Sequence, residues 1–346
     1  MEALIAPLLP LYERERHAGR AVALAVVVHS DGSTYRKPGA LMLIAGDGAY
    51  AGLLSGGCLE SDLHEHALQV MASGTAKVIT YDTGGSDDLL WGLGIGCEGL
   101  MQILLMRVGP QNDWQPLDLF ASAHRRHERV AAAVVIASPD STLPPGSVVL
   151  ANGRQDGLQG LLVQAVTTGR PGVLGGLSDP LRVLAVPVAL PARLLLLGAG
   201  PDVQPLVDFA GRMAWRITVY DHRPAYAEPS RFPLAEQVLL GRPEALGEAV
   251  DLNRYDAAVV MSHHLPSDLA YLRVLSATRI PYVGLLGPAR RREKLLADLG
   301  PEAAQLLARL RSPIGINIGG RAPESVALSI VAEIHARLTG APGVPY

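Results

Sequence analysis

Between Ala21 and Val108 short apolar runs alternate with polar or glycine-rich breaks, which is the pattern of a sheet-based module. The order reads strand (AVALAVVVHS), polar loop (DGSTYRKPGA), strand (LMLIA), GDG turn, strand (YAGLLS), helix, strand (AKVITYD), glycine-rich loop and strand (LMQILLMRV). The one clear helix is expected from about Leu59 to Met71, because Leu59, Leu63, Ala67 and Val70 recur at three-and-four spacing and form a stripe that can pack on a sheet. Glu60, His64 and Glu65 fall on the other face; Glu60 is placed to cap the turn before the helix, and the histidines are expected to meet solvent. From Gly109 to Val188 the pattern is a helical piece (QPLDLFASAHRRHERV) and strand-like runs (VAAAVVIAS, SVVLANG, LRVLAVPV) among many Pro and Gly residues. This stretch carries no chemical motif and is expected at the periphery of the first domain. "VALPAR", with Pro187 and Pro191 close together, reads as the linker between a domain over residues 1–190 and a second over 191–346.

The second domain opens on "RLLLLGAGPDVQPLVDFAGRMAWRITVYDHRP". An apolar run ends in Gly-Ala-Gly, a helix follows with Val203, Leu206, Val207 and Ala210 on its buried stripe, and the strand RITVY ends at Asp221. Strand, glycine turn, helix, strand and acid in this order make half of a doubly wound nucleotide-binding fold. Gly198 suits the tight turn and Gly200 a close backbone approach to a diphosphate, while the helix N-terminus supplies amides for an anion. Asp221, 21 residues after Gly200, is placed to accept from a ribose diol. Two departures weaken a nucleotide site: Val203 stands where the third glycine would be, and Pro201 removes one amide donor. Runs AAVVMS and YVGLLG and the helical ESVALSIVAEIHARL complete the sheet. The fold class expected is α/β: an N-terminal mixed α/β sheet domain followed by a Rossmann-like doubly wound parallel-sheet domain.

Composition narrows the partners. Of 346 residues, 49% are hydrophobic and 18% charged, so the chain has buried layers to form and little of it should be disordered. A formal net charge of −3 spread along the chain gives no electrostatic reason to propose nucleic acid or a membrane surface. No apolar run is long enough to span a bilayer, and the first residues carry acids where a signal peptide is basic, so a cytoplasmic protein is expected. The apolar composition also suggests a homo-oligomer, at least a dimer.

Two cysteines, Cys58 and Cys97, are the only ones in the chain and should be thiols in a reducing compartment. Cys58 follows Ser55-Gly56-Gly57 at a helix start, where amides and the helix dipole favour thiolate. Cys97 repeats the arrangement in "GLGIGCEG". Each could instead be a small buried hydrophobe. Two thiols in glycine turns suit a bulky ligand bearing sulfur or metal, whereas zinc held by protein ligands alone does not fit: His64-Glu65-His66 lacks the zinc spacing, and there is no Cys-x-x-Cys. Arg36 and Lys37 in "STYRKPGA" could pair with phosphate. So could the Arg290-Arg291-Arg292 run, or Arg321 beside the glycine turn "GINIGG".

At these residues the sequence resembles the XdhC/CoxI family of accessory proteins for xanthine dehydrogenase-type molybdenum hydroxylases. The resemblance rests on "GSTYRKPGALML", "LLSGGCLESDL" and "WGLGIGCEG" in the first domain. In the second it rests on "LLLLGAGPDVQPL", "VYDHRP", "SHHLPSDLAYL", "YVGLLGPARRREKLL" and "SPIGINIGGRAPESVALSIVAEI". It implies a non-catalytic protein that binds molybdenum cofactor (molybdopterin), protects it while the terminal sulfido ligand is added, and delivers it to an apo molybdenum hydroxylase, with a cysteine desulfurase as sulfur source. The family's Gly-Gly-Cys falls on Gly56, Gly57 and Cys58, and its second cysteine on Cys97, which makes Cys58 and Cys97 the metal-facing ligands. Glu98 departs from the small or amide residue common there. Arg36, Gly198, Gly200, Asp221 and Arg321 would serve the phosphate or nucleotide end. Two other classes stay open from the residues alone. One is an NAD(P)-dependent oxidoreductase with cofactor on Gly198, Gly200 and Asp221 and His263 or His264 as acid-base. The other is a sulfurtransferase carrying a persulfide on Cys58.

Overall fold

A computed structural model describes residues 5–55, 57, 59–82, 99–151 and 156–344. The chain forms two compact units, Met1–Leu190 and Pro191–Tyr346. Each is described by itself.

The first unit is built on two antiparallel sheets. After helix α1 (Leu9–His17), strands β1 (Val22–Gly32), β2 (Leu41–Ile44), β3 (Tyr50–Gly52), β4 (Lys77–Asp82) and β5 (Gly99–Val108) form a sheet of order β3-β2-β1-β5-β4, with α2 (Glu60–Ser73) between β3 and β4. Strand β1 is apolar at nearly every position because it is covered on both faces. Ala23, Ala25 and Val27 face Leu59, Leu63, Ala67 and Val70, the stripe expected for the helix. Val22, Leu24, Val26 and Val28 face the opposite way, into a core shared with α1, with α3 (Leu117–Arg126) and with a second sheet.

That second sheet corrects the expectation for the segment after Gly109. Strands β6 (Ala131–Ala137), β7 (Val148–Leu150), β8 (Gly172–Leu174) and β9 (Arg182–Pro187) pair in the order β7-β6-β9-β8. Ala132, Val134, Ile136, Leu184 and Val186 join the core of the first sheet, while Ala131, Ala133 and Val135 pack on Leu158, Leu162 and Ala165 of α4 (Asp156–Thr168). The segment therefore adds a second sheet to the first unit's core and is not its periphery. Its strands contain so much Ala and Val that both faces can be buried, a signature that lacks the polar alternation of a one-sided sheet.

The second unit is a parallel six-stranded sheet. Strands β10 (Arg193–Leu197), β11 (Arg216–Asp221), β12 (Gln237–Leu240), β13 (Ala257–Val260), β14 (Tyr282–Leu285) and β15 (Leu310–Arg311) lie in the order β12-β11-β10-β13-β14-β15. Helices α5 (Val203–Arg212), the short α6 (Leu246–Ala249), α7 (Leu265–Ser276), α8 (Ala289–Leu299) and α9 (Pro323–Thr339) cover it. Period-two alternation divides each strand between two cores. Leu194 and Leu196 of β10 pack with α5 and α9, and Leu195 and Leu197 pack with α7 and α8. This is the Rossmann arrangement, and the strand order reverses between β10 and β13. Among the described residues no helix is long and apolar enough to cross a membrane.

Candidate functional site

In the first unit the loop bearing Arg36, the stretch leading into the Gly-Gly-Cys motif and the start of β5 meet at one end of the first sheet. Strand β1 runs antiparallel to β5 from Val22 opposite Val108 to Gly32 opposite Gly99. The β5 entry therefore lies against the Asp31–Thr34 stretch. A Cβ on Gly99 would fall 2.7 Å from Asp31 O, 2.8 Å from Ser33 O and 2.9 Å from Thr34 Cγ2, so only glycine fits. The same loop then carries Arg36, whose Nε donates to Leu53 O at 3.1 Å, at the start of the Gly-Gly-Cys stretch. The guanidinium also lies 5.4 Å from the Tyr35 ring centroid, and among the described residues no carboxylate pairs with it. Arg36 is thus held by a carbonyl and a ring, with no carboxylate partner among the described residues. Cys58, Cys97 and Gly56 lie outside the described residues.

The turn before α2 is organised by a carboxylate. Ser55 Oγ donates to Glu60 Oε2 at 2.6 Å, Ser55 N donates to Glu60 Oε1 at 3.2 Å, and Leu59 N reaches Ser55 Oγ at 3.1 Å and Glu60 Oε2 at 3.2 Å. Gly57 N donates to Ser55 Oγ at 3.2 Å. Glu60 thus caps the turn, as its position in the sequence leads one to expect, and it is only 6% exposed. Helix amphipathicity places it away from the stripe; the three donors of the turn draw it inward. The Ser55, Gly57 and Leu59 amides, expected to be open to an anion, are consequently bonded within the turn. Gly57 has φ of 108°, and a Cβ there would meet none of the described residues within 4 Å. Its glycine is required by backbone conformation and not by crowding.

In the second unit the glycine turn sits at the reversal of strand order. Gly198, with φ of 123°, lies so close to the β13 exit that a Cβ would fall 2.6 Å from Met261 O. Around the turn the chain's own carboxylates take the donors that a ligand would use. Asp221 is fully buried. Its Oδ2 accepts from Ala199 N at 2.7 Å and from an Arg223 Nη at 2.7 Å, and its Oδ1 accepts from Arg223 N at 2.9 Å and Arg223 Nε at 3.0 Å. Burial pushes the Asp221 carboxyl up, but the bonds from Arg223 and Ala199 and the guanidinium charge outweigh it and hold the group below the usual carboxylate range. Both oxygens are spent, so the ribose role expected for Asp221 is not open in this arrangement. At Gly200 the space a Cβ would fill is taken by Asp202 Oδ1, and Asp202 Oδ2 lies 2.7 Å from His263 Nε2.

A third carboxylate repeats the design at the β13 exit. Asp268, 1% exposed, accepts from Ser262 N at 3.3 Å and Ser262 Oγ at 2.5 Å, and pairs with an Arg291 Nη at 2.6 Å. His264 Nδ1 lies 2.9 Å from Ser267 Oγ, and the His222 and His264 rings are 6.1 Å apart. The arginine run is therefore divided: Arg291 serves Asp268, Arg292 donates to Ser312 O at 2.8 Å, and Arg290 is exposed. Arg321 is exposed too, just after Gly319, whose φ is 84°. Among the described residues no group of three or more His, Cys, Asp or Glu could hold a metal ion. Sequence reasoning missed the roles of Arg223, Asp202 and Asp268; the acids in "VYDHRP", "GAGPDV" and "SHHLPSD" were visible, but their partners are two, 61 and 23 residues away.

Comparison with known proteins matches these two regions to two family models. The XdhC and CoxI family covers residues 15–82, and the XdhC Rossmann domain covers residues 194–334. The chain is also 32% identical over 311 residues to a protein of Bacillus subtilis described as a probable subunit of xanthine dehydrogenase, across 90% of this chain and 91% of that protein. The chain belongs to the XdhC and CoxI family. It is 24% identical to the molybdenum cofactor insertion chaperone PaoD of Escherichia coli over 92% of this chain and 83% of that one. A crystal structure described as a xanthine dehydrogenase from Bacillus halodurans superposes with a TM-score of 0.79 and 29% identity, covering 96% of each chain.

Proposed function

We infer that this XdhC/CoxI chain is an accessory protein of a xanthine dehydrogenase-type molybdenum hydroxylase: it binds molybdenum cofactor as cargo, shields it while the terminal sulfido ligand is added, and hands it to the apo-enzyme. The observation that carries this reading is the meeting of the motif loops in the first unit. The Gly99 contact and the Arg36–Leu53 bond tie together the loop bearing Arg36, the stretch that leads into Cys58 and the strand that follows Cys97. The donor set suits the group. The two thiols are soft ligands for a molybdenum–dithiolene, and Arg36, held by a carbonyl and otherwise unpaired among the described residues, suits its phosphate. In the second unit the Ala199 amide of the Gly198 turn is taken by Asp221, whereas Arg290 and Arg321 are exposed. The relatives described as belonging to xanthine dehydrogenase and as a cofactor insertion chaperone support the same reading. The cargo supplies the redox centre that the client uses; the chain's own part is to bind, orient and exclude water.

The experiment is co-purification from cells that make molybdenum cofactor, with molybdenum and pterin measured per chain. Wild-type protein should retain both, Cys58→Ser should lose most of the molybdenum and pterin, and Arg36→Gln should retain less pterin. Equal pterin in all three proteins would overturn the assignment of these loops.

A further inference from the structure

The second unit has a cleft of about 220 Å³ at the edge of the parallel sheet opposite the Gly198 turn, where the strands begin. Arg193 opens β10, Arg216 opens β11, Glu236 and Gln237 open β12, and Asp251, Arg254 and Tyr255 come from the turn that leads into β13; all line the cleft. Nothing in the XdhC/CoxI reading uses them.

Arg193 makes the cleft unusual. Its side chain belongs to a residue only 8% exposed. Among the described residues its guanidinium makes no hydrogen bond and no ion pair; only its backbone is bonded, its amide to Asp256 Oδ2 at 2.8 Å and its carbonyl to Asp256 N at 2.9 Å. Buried arginines are ordinarily paired, because removing the charge from water is costly unless an anion or acceptors replace the solvent. Here the charges that act on it most strongly, Arg254 and Arg216, have the same sign and outweigh Glu236. Burial first, and then the neighbouring Arg254 and Arg216, hold Arg193 below the usual guanidinium value. Neither carboxylate of the cleft pairs with Arg193. Asp251 is used by its own turn, where its Oδ1 accepts from Asn253 N at 3.1 Å, and the half-exposed Glu236 is ion-paired with Arg216 at 3.9 Å. One neutral donor is also available. Thr218 Oγ1 accepts from Tyr255 OH at 2.9 Å, which leaves the threonine proton for a ligand oxygen.

We propose that this cleft is a binding site for a phosphate-class oxyanion, with Arg193 as the central ligand, Arg216 and Arg254 on its flanks and Thr218 as the neutral donor. Three guanidiniums around one small polar cleft match a tetrahedral dianion better than a planar monoanion, because each fork can take a different pair of oxygens. The volume is several times the roughly 30 Å³ share of a water molecule, enough for a phosphate with part of its hydration or a small phosphate ester. The site lies at the strand N-termini, whereas Rossmann ligands bind at the strand C-termini, so it is separate from the crevice at Gly198.

The test is the melting temperature of the full-length protein titrated with inorganic phosphate, with potassium chloride holding ionic strength constant, and with acetate as a planar control. Wild-type protein should show a saturating rise with phosphate and a rise at least several-fold smaller with acetate. Arg193→Gln and Arg254→Gln should each cut the phosphate response at least fivefold, while Arg279→Gln, an exposed arginine away from the cleft, should keep it. Without phosphate, Arg193→Gln should melt no lower than wild type, since it removes an uncompensated buried charge. If Arg193→Gln does not fold, the exposed Arg254 decides the matter alone. A phosphate response of full size in Arg254→Gln, or a wild-type response no larger than that to chloride, would overturn the proposal.

Discussion

The turn before α2 and the turn after β10 were built on the same sequence idea, glycines before a helix, and both close on a buried carboxylate. They differ in what neutralises it. Glu60 is held by neutral donors only, the Ser55 hydroxyl and the Ser55 and Leu59 amides, with no basic partner among the described residues. Asp221 is held by an amide and a two-pronged guanidinium from Arg223. The second arrangement fixes charge and geometry together and leaves nothing for a ligand. The first uses up the described amides, and among the described residues it has no cation in the turn and leaves Arg36 beside it without a carboxylate. A glycine turn at a helix start is thus an anion site only if the chain does not supply the anion itself.

The sharpest way to break the comparison is at the two positive-φ glycines. Gly198→Ala should cost the second unit about 3 kcal/mol or more, since its Cβ would meet the Met261 and Ser262 backbone within 2.8 Å at an unfavourable φ. Urea unfolding followed by the fluorescence of Trp215 should show it. Arg223→Ala comes next, at about 2–4 kcal/mol, because Asp221 would keep a buried charge with one partner removed; Arg223 being a third exposed puts the loss toward the lower end. Asp221 also predicts an acid limb. Its carboxyl is depressed in the folded protein, so its stabilisation is present above the unfolded value near pH 4 and is lost as pH falls through the folded value. Thermal melts of the second unit between about pH 6 and pH 3 should fall with acid, and Asp221→Asn, though less stable near neutrality, should show a shallower fall.

Glu60→Ala should destabilise the first unit by about 2 kcal/mol by stranding the turn's donors, while Glu60→Gln, which keeps an acceptor, should lose less; chemical denaturation separates the two. Gly57→Ala should be the mildest, about 1 kcal/mol, because only φ opposes it and the space among the described residues is open. If Gly57→Ala proved as costly as Gly198→Ala, the distinction between an open and a crowded turn would fail.

Periodicity carried much of this fold. The α2 stripe, the strand series of the first sheet and the strand–turn–helix–strand order of the second unit are local patterns, and residues three, four or two apart reach the same face whatever surrounds them. The second sheet of the first unit was legible as strands but not as core, because Ala-Val runs do not say what will cover them. The motifs also placed Arg36 near the thiol-bearing turn in function but not in space; that took the Arg36–Leu53 bond and the Gly99 contact. Sequence by itself determined which residues could serve as acids, cations and tight turns. Tertiary structure alone decided which of them are already satisfied: Asp221 by Arg223 and Ala199, Asp268 by Arg291 and Ser262, Glu60 by its own turn, and Arg193 by none of the described residues. The reason is physical. A polar group's availability depends on the partners that burial brings within about 3 Å, and those partners come from distant parts of the chain.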